Sequence, residues 1–183
     1  MRPLLIFGSC TVLLSGCANP LNEVTSERYA ETCVTAERNN RLDVAEQACY
    51  RALVNVDIGN LGPELKSNRL YNLGRIKRQL TKFSEAEDLF RQSLSIQETL
   101  SSPTDPKLTR RLFELANVLA AQHKWSEGSP FLERAIPVSD QLVGGERLAA
   151  VQIFVWYGTY FRKANQPQLA ERFESKAAAL KLP

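Results

Sequence analysis

One histidine, His123, is the chain's whole supply of imidazole, and that scarcity excludes a good deal of chemistry. A zinc centre needs several His, Cys or carboxylate ligands at short spacing, and the chain has no CxxC pair to supplement His123. A Ser-His-Asp triad would have to pass through the same residue, yet no nucleophile elbow precedes it. A Gly-rich phosphate loop is also missing. These absences point away from an enzyme and from any metal or other cofactor. His123 itself, in "AAQHKW", reads as a solvated helix-end residue whose positive form complements the helix dipole. The formal charge of +3 is small and evenly spread, unlike the clustered basic face of a nucleic-acid binder. No apolar run approaches the roughly 20 residues that a membrane-spanning helix requires. What remains, 44% apolar and 23% charged residues in 183 positions, suits one folded domain or a short array of repeated units.

The front of the chain departs from this ordinary composition. Met1-Arg2-Pro3 is a short cationic start, and the apolar stretch from Leu4 to Leu14 has the build of an export signal. Behind it comes Leu14-Ser15-Gly16-Cys17, which resembles the lipobox of bacterial lipoproteins at all four positions. The alternative is a plain signal with a coincidental cysteine. The resemblance implies that residues 1–16 are a lipoprotein signal peptide and that Cys17 becomes the acylated first residue of the mature chain. Residues 17–25 are then expected to form a lipidated tether. Several acyl chains together make such an anchor effectively permanent. Because Ala18 stands where an aspartate would retain a Gram-negative lipoprotein at the inner membrane, the resemblance favours the periplasmic face of the outer membrane. In a Gram-positive source the location would be the cell membrane.

The rest of the chain repeats itself. The stretches "RYAETCVTAERNNRLDVAEQACYRAL", "RLYNLGRIKRQLTKFSEAEDLFRQSL", "RLFELANVLAAQHKWSEGSPFLERAI" and "IFVWYGTYFRKANQPQLAERFESKAA" align on small residues. Cys33, Gly74, Ala116 and Gly158 form one column, Ala45, Ala86, Gly128 and Ala170 a second, and Ala52, Ser93, Ala135 and Ala177 a third. Successive members of the second column are 41, 42 and 42 residues apart. Bulky Tyr29, Leu70, Leu112 and Phe154 precede the first column by one helical turn, and Leu42, Phe83, Trp125 and Pro167 open each second helix. Small residues let two backbones approach while large ones fill the flanks, the pattern of an antiparallel helix pair.

Local signals predict eight helices at roughly 22–39, 42–57, 63–80, 84–101, 105–122, 126–141, 145–164 and 167–181. Ser84-Glu85-Ala86-Glu87 reads as a capping box, Asp105-Pro106 and Gly62-Pro63 as helix starts, and Gly144-Gly145 as the end of one helix ahead of the next. Pro130 and Pro137 should shorten or kink the sixth. The fold class is therefore all-α, with stability drawn from stacked neighbours.

This pattern resembles the tetratricopeptide repeat, most clearly in "LYNLGRIKRQLTKFSEAEDLF" with its Leu73-Gly74, Phe83, Ala86 and Phe90. The long period and the "PTDP" of residues 103–106 look like the 42-residue version of kinesin light chains. The resemblance implies a right-handed superhelical solenoid over residues 26–181, in units at about 26–62, 63–104, 105–144 and 145–181. It is weakest in the first unit, where Thr32-Cys33 replaces the usual Leu-Gly, and Glu174 departs from the family's aromatic.

In that family the first helix of each unit lines a concave groove. The resemblance thus implies a peptide- or partner-binding surface containing Tyr71, Asn72, Arg75, Arg78, Phe113, Asn117, Trp156 and Arg162. Asparagine amides can bond an extended backbone, guanidinium groups can fork onto carboxylates, and the aromatic residues can anchor an apolar side chain. Glu27, Glu31 and Glu37 would turn the first unit acidic. Cys33 and Cys49 flank the turn "NNRLD" symmetrically. Either they are bonded, closing a loop of about 16 residues worth roughly 3 kcal/mol, or they are two small buried thiols. The expected function is a membrane-anchored adaptor that binds another envelope protein or peptide segment. Tetratricopeptide lipoproteins suggest a pilotin, a secretion or pilus factor, an outer-membrane assembly factor, or a scaffold for cell-wall enzymes. The alternative is a self-associating structural lipoprotein, a homodimer joined through Trp156 and "AAALKLP".

Overall fold

The computed structural model describes residues 19–181; residues 1–16 and Cys17 lie outside them. Helices α1 (Pro20–Arg38), α2 (Leu42–Gly59), α3 (Pro63–Gln79), α4 (Phe83–Leu100), α5 (Pro106–Ala121), α6 (Trp125–Ala135), α7 (Gly144–Lys163) and α8 (Pro167–Lys181) pack as four successive hairpins, each resting on the next. None of these helices is long and apolar enough to cross a membrane.

Every member of the three small-residue columns is buried. The glycines show how tight the crossings are. A Cβ on Gly74 would lie 2.8 Å from the Phe90 ring, and one on Gly158 would lie 2.7 Å from Glu174 Cγ. Large residues fill the flanks as the spacing requires: Leu70, Leu112 and Phe154 are buried, and Trp125 stacks on Tyr160 at 4.9 Å between ring centroids. At the aromatic site that Glu174 vacates, the neighbouring Phe173 turns inward and stacks on Phe154.

Some boundaries differ from the sequence expectation. The first helix starts at Pro20, well inside the expected tether of residues 17–25. Asn19 caps it by accepting the Leu21 N–H at 3.0 Å, and Pro20 takes the first helical position, where its missing N–H costs nothing. Ser84 does not cap α4; Lys82 holds the cap position and Ser84 sits inside the first turn. The sixth helix stops at Ala135 and continues as a 3₁₀ segment, Ile136–Gln141. Pro137 has no N–H for the Glu133 carbonyl, so Ile136 reaches it instead and tightens the turn. Pro130 stays within α6, and Ser129 Oγ donates to the Ser126 carbonyl that the proline leaves open (3.4 Å). Gly144, at φ +55°, opens α7 and does not close α6. Asp105 caps α5 as expected, accepting the Lys107 N–H at 2.7 Å.

Within each hairpin the chain turns through a left-handed residue: Asn40, Thr81, His123 and Asn165 all have φ between 54° and 60°. The residue after each donates its N–H to a carbonyl five positions back, at 2.8–2.9 Å, which closes the helix in a Schellman motif. His123 is exposed in this turn and its backbone geometry gives it a place in the repeat. Asparagine tolerates this region, whereas a β-branched residue there is strained. Thr81→Asn is therefore expected to stabilise the chain by roughly 0.5–2 kcal/mol, read as a higher urea midpoint at unchanged m-value.

Charged bridges tie neighbouring hairpins. Glu46 accepts from Lys77 (2.5 Å) and Lys82 (2.7 Å), and one repeat later Glu87 accepts from Lys124, Arg91 and Gln122, each at 2.8 Å. Burial works to raise both carboxyl pKa values, but these donors outweigh it and hold them below the ordinary 4.5. A carboxyl with a depressed folded-state pKa adds stability that is full above its unfolded value and is lost as pH falls through the folded one. The urea midpoint should thus hold level down to about pH 5 and drop below about pH 4. Glu87→Gln should make that acid limb shallower.

Candidate functional site

The first helices of units two to four, α3, α5 and α7, meet at an open cavity of about 130 Å³. Tyr71, Phe113, Leu142, Ala150 and Ile153 line it with apolar surface, and Arg78, Arg110, Glu114, Asn117 and Glu146 stand around it. Phe113 is fixed by edge contact with Phe154, ring centroids 5.5 Å apart. Tyr71 is fixed from below by the Arg111 guanidinium, 5.1 Å from its ring centre. Burial, with Glu114 adding to it, pushes the Tyr71 hydroxyl up to about 12, so this wall is uncharged at neutral pH.

Four of the residues picked from sequence come together here: Tyr71, Arg78, Phe113 and Asn117. The other four do not. Asn72 lies in a separate shallow groove between α1 and α3 with Glu27, Glu31 and Arg38. Arg75 points toward the end of α1 and pairs with Glu37 at 2.6 Å. Trp156 is 45% exposed on α7, outside the cavity. Arg162 faces α8 and pairs with Glu174.

The arginines also differ electrostatically from the expectation. Arg78 is paired with Glu114 at 2.8 Å and Arg110 with Glu146 at 2.7 Å, so the rim is charged but internally neutralised. Glu27 and Glu37 are likewise taken up by Arg69 and Arg75. A ligand carboxylate would have to displace one of these partners. Asn117 makes no such contact with the described residues and offers its amide to the cavity.

Leu142, Ala150 and Ile153 were missed because Leu142 comes from the end of the 3₁₀ segment ahead of α7, and Ala150 and Ile153 from the first half of α7, ahead of the aligned Gly158. The signal was in the chain: Ala149-Ala150 supplies the small side chains that leave space opposite Phe113.

The buried ladder of serines and arginines behind the groove was missed as well. Ser26 Oγ donates to the Ala52 carbonyl (2.9 Å) and accepts from Arg69 Nε (3.1 Å). One repeat on, Ser67 Oγ donates to the Ser93 carbonyl (2.9 Å) and accepts from Arg111 Nε (3.1 Å). Ile153 occupies the next arginine position and ends the ladder. Cys33 and Cys49 join α1 to α2 as a disulfide, with Cα atoms 5.2 Å apart.

Residues 68–107 match the family model of the tetratricopeptide repeat. No curated protein matches the chain. Among solved structures, BtubC (BKLC) from P. vanneervenii is similar at a TM-score of 0.74 and 21% identity, over 87% of this chain and 64% of that one. This chain therefore spans less than two thirds of that protein's length. A Podosopora anserina protein with nearly identical TPR-like repeats of kinesin-light-chain type is similar at a TM-score of 0.66 and 16% identity, over 85% of this chain and 74% of that one. With its buried small-residue columns, its period and these neighbours, the chain is a tetratricopeptide-repeat solenoid in fold, carrying a matched repeat at residues 68–107.

Proposed function

We propose that this chain is a lipid-anchored adaptor of a bacterial cell envelope, tethered through Cys17, that holds an extended segment of a partner protein in its groove. The observation that carries the binding reading is the open cavity between α3, α5 and α7, apolar below and with the free amide of Asn117 beside it. A cavity on the order of 150 Å³ accepts a benzene-sized group, so one branched aliphatic or aromatic side chain fits. Asn117 can then pair with the partner's backbone. Because the rim is already neutralised, the favoured segment is apolar and uncharged at its anchor, and recognition does not depend on a terminal carboxylate. The role is binding, without catalysis; service in pilus, secretion or outer-membrane assembly fits the same build.

Crosslinking tests the groove. A photoreactive residue at Asn117 in intact cells should capture a discrete polypeptide, and Ile153→Glu should abolish that adduct while a residue at Leu148 captures nothing. An adduct unchanged by Ile153→Glu counts against the cavity. Metabolic labelling with an alkynyl fatty acid tests the anchor: label should be present in the native chain and absent from Cys17→Ser.

Self-association is the second reading, favoured by Leu148 (72% exposed) and Trp156 on one side of α7. Ala177 and Leu180 of "AAALKLP" do not contribute, since both are buried in the hairpin. A concentration-dependent dimer in sedimentation would support that reading; a monomer supports the adaptor.

A further inference from the structure

Acylation of Cys17, on which this inference rests, places the lipid two residues ahead of Asn19, where the described structure begins. Asn19 is pinned, since its backbone N–H donates to the Gly59 carbonyl at 3.2 Å. The start of α1 and the end of α2 therefore stand together at the anchor.

Three large apolar side chains are exposed at this end: Leu21 (76%), Val24 (54%) and Ile58 (72%). Leu21 and Val24, one turn apart, lie on the side of α1 opposite the buried Ser26. Arg51 sits over the Tyr29 ring at 5.6 Å, which sets the level of the two helices on this outer side. Leu21 lies eight residues before Tyr29 and Ile58 seven after Arg51, so they are abreast, two turns nearer Asn19.

Polar neighbours on the same face have turned inward. Thr25 Oγ1 donates to the Leu21 carbonyl at 2.7 Å, and Asn55 Nδ2 donates to the Arg51 carbonyl at 2.8 Å. Each thus keeps one of its donors bonded within its own helix. Asp57, beside Ile58, is paired with Lys66 at 2.8 Å. Glu23 is roughly 100° round the helix from Val24 and stays clear of the apolar stripe.

We propose that this end face is a lipid contact: Leu21, Val24 and Ile58 sit in the bilayer interface beside the acylated cysteine. A helix with apolar residues on one side settles in this region when a lipid chain holds it there. The hairpins then stack away from the membrane, and the groove of α3, α5 and α7 opens sideways above it. The short distance to Cys17 favours lipid over a second copy of the chain, because a second copy would have to enter between this face and the bilayer.

Depth-dependent quenching tests this in the full-length acylated protein. Cys17 is blocked and Cys33 is bonded to Cys49, so Ile58→Cys takes a single environment-sensitive nitrobenzoxadiazole label. Leu148→Cys, also 72% exposed in the native side chain but in the last hairpin, is the control. In phosphatidylcholine vesicles carrying a nitroxide near the head of the acyl chains, emission from the label at 58 should fall several-fold relative to nitroxide-free vesicles, and the already weak emission of the water-exposed label at 148 should not change. Equal fractional quenching at both positions, or a label at 58 that is shielded but unquenched, as a second copy would make it, overturns the lipid contact while flotation of the protein keeps the anchor. Protein that does not float with the vesicles overturns both.

Discussion

Gly128→Ala is expected to lower stability by on the order of 3 kcal/mol, the upper end of the range for an overpacked core. The new methyl would lie 1.7 Å from Tyr157 Oη and 2.9 Å from Cζ. Tyr157 cannot swing away easily. It is fully buried, its hydroxyl donates to the Ala116 carbonyl at 2.7 Å, and its ring meets Trp125, Phe161 and Phe173. Burial alone raises its pKa well above the ordinary value of 10, so the hydroxyl stays protonated and remains a donor. Tyr157→Phe alone should cost about 1 kcal/mol for the lost hydrogen bond. In the double variant the missing oxygen makes room for the methyl, and the two losses should sum to clearly more than the double variant loses. Urea titrations of the four proteins measure this cycle. Additive losses would mean that Gly128 does not pack against Tyr157.

That contact shows what in this chain was legible beforehand. Gly128 belongs to a small-residue column whose 42-residue period was plain in the sequence, and the helix pairing follows from it. The helix bounds also came through at Pro63, Pro106 and Pro167, each read as a helix start. The first helix was expected from residue 22 and starts at Pro20; the start of the repeats was set later, at 26, because "NEVTSE" carries no apolar stripe strong enough to read, although Asn19-Pro20 is itself a start signal. The cavity was half legible. Position within a repeat placed Tyr71, Arg78, Phe113 and Asn117 on one surface, but it gave no information on which charges find partners across repeats. Arg78 and Glu114 lie 36 residues apart, and pairing at that separation depends on side-chain direction, which period alone does not supply.

The disulfide bears on where the groove is rigid. In the weakest unit, where Cys33 takes the glycine's place, the bond to Cys49 substitutes a covalent tie for the close packing that Gly74 and Gly158 permit in their own hairpins. The hairpin that follows Cys17 is thus held by chemistry that an oxidising compartment allows, as the envelope location proposed above requires.

Arg111 should show the second large effect, and the order of its substitutions is the informative part. Arg111 is 2% exposed, with no carboxylate in ion-pairing contact among the described residues. It donates to Ser67 and Ser93 hydroxyls, the Lys107 carbonyl and Asn68 Oδ1 at 2.7–3.1 Å. Burial lowers its pKa, with Tyr71 and Asp105 acting in the other direction. Arg111→Ala leaves a cavity against Tyr71 and is expected to cost on the order of 3–5 kcal/mol. Arg111→Met keeps most of the volume. Ser67 and Ser93 still donate to each other's carbonyls at 2.9 and 2.8 Å, and half-buried Asn68 can turn to water, so the loss should be only about 1–2 kcal/mol. Arg111→Lys retains the charge but cannot fork to four acceptors, and its compact ammonium is costlier to desolvate. It should therefore fall below Met, at about 3 kcal/mol. Since Arg111 supports the Tyr71 ring, the lysine and alanine variants should also weaken crosslinking from Asn117. A lysine variant as stable as the native chain would mean that charge alone holds this layer, and that the fork contributes nothing.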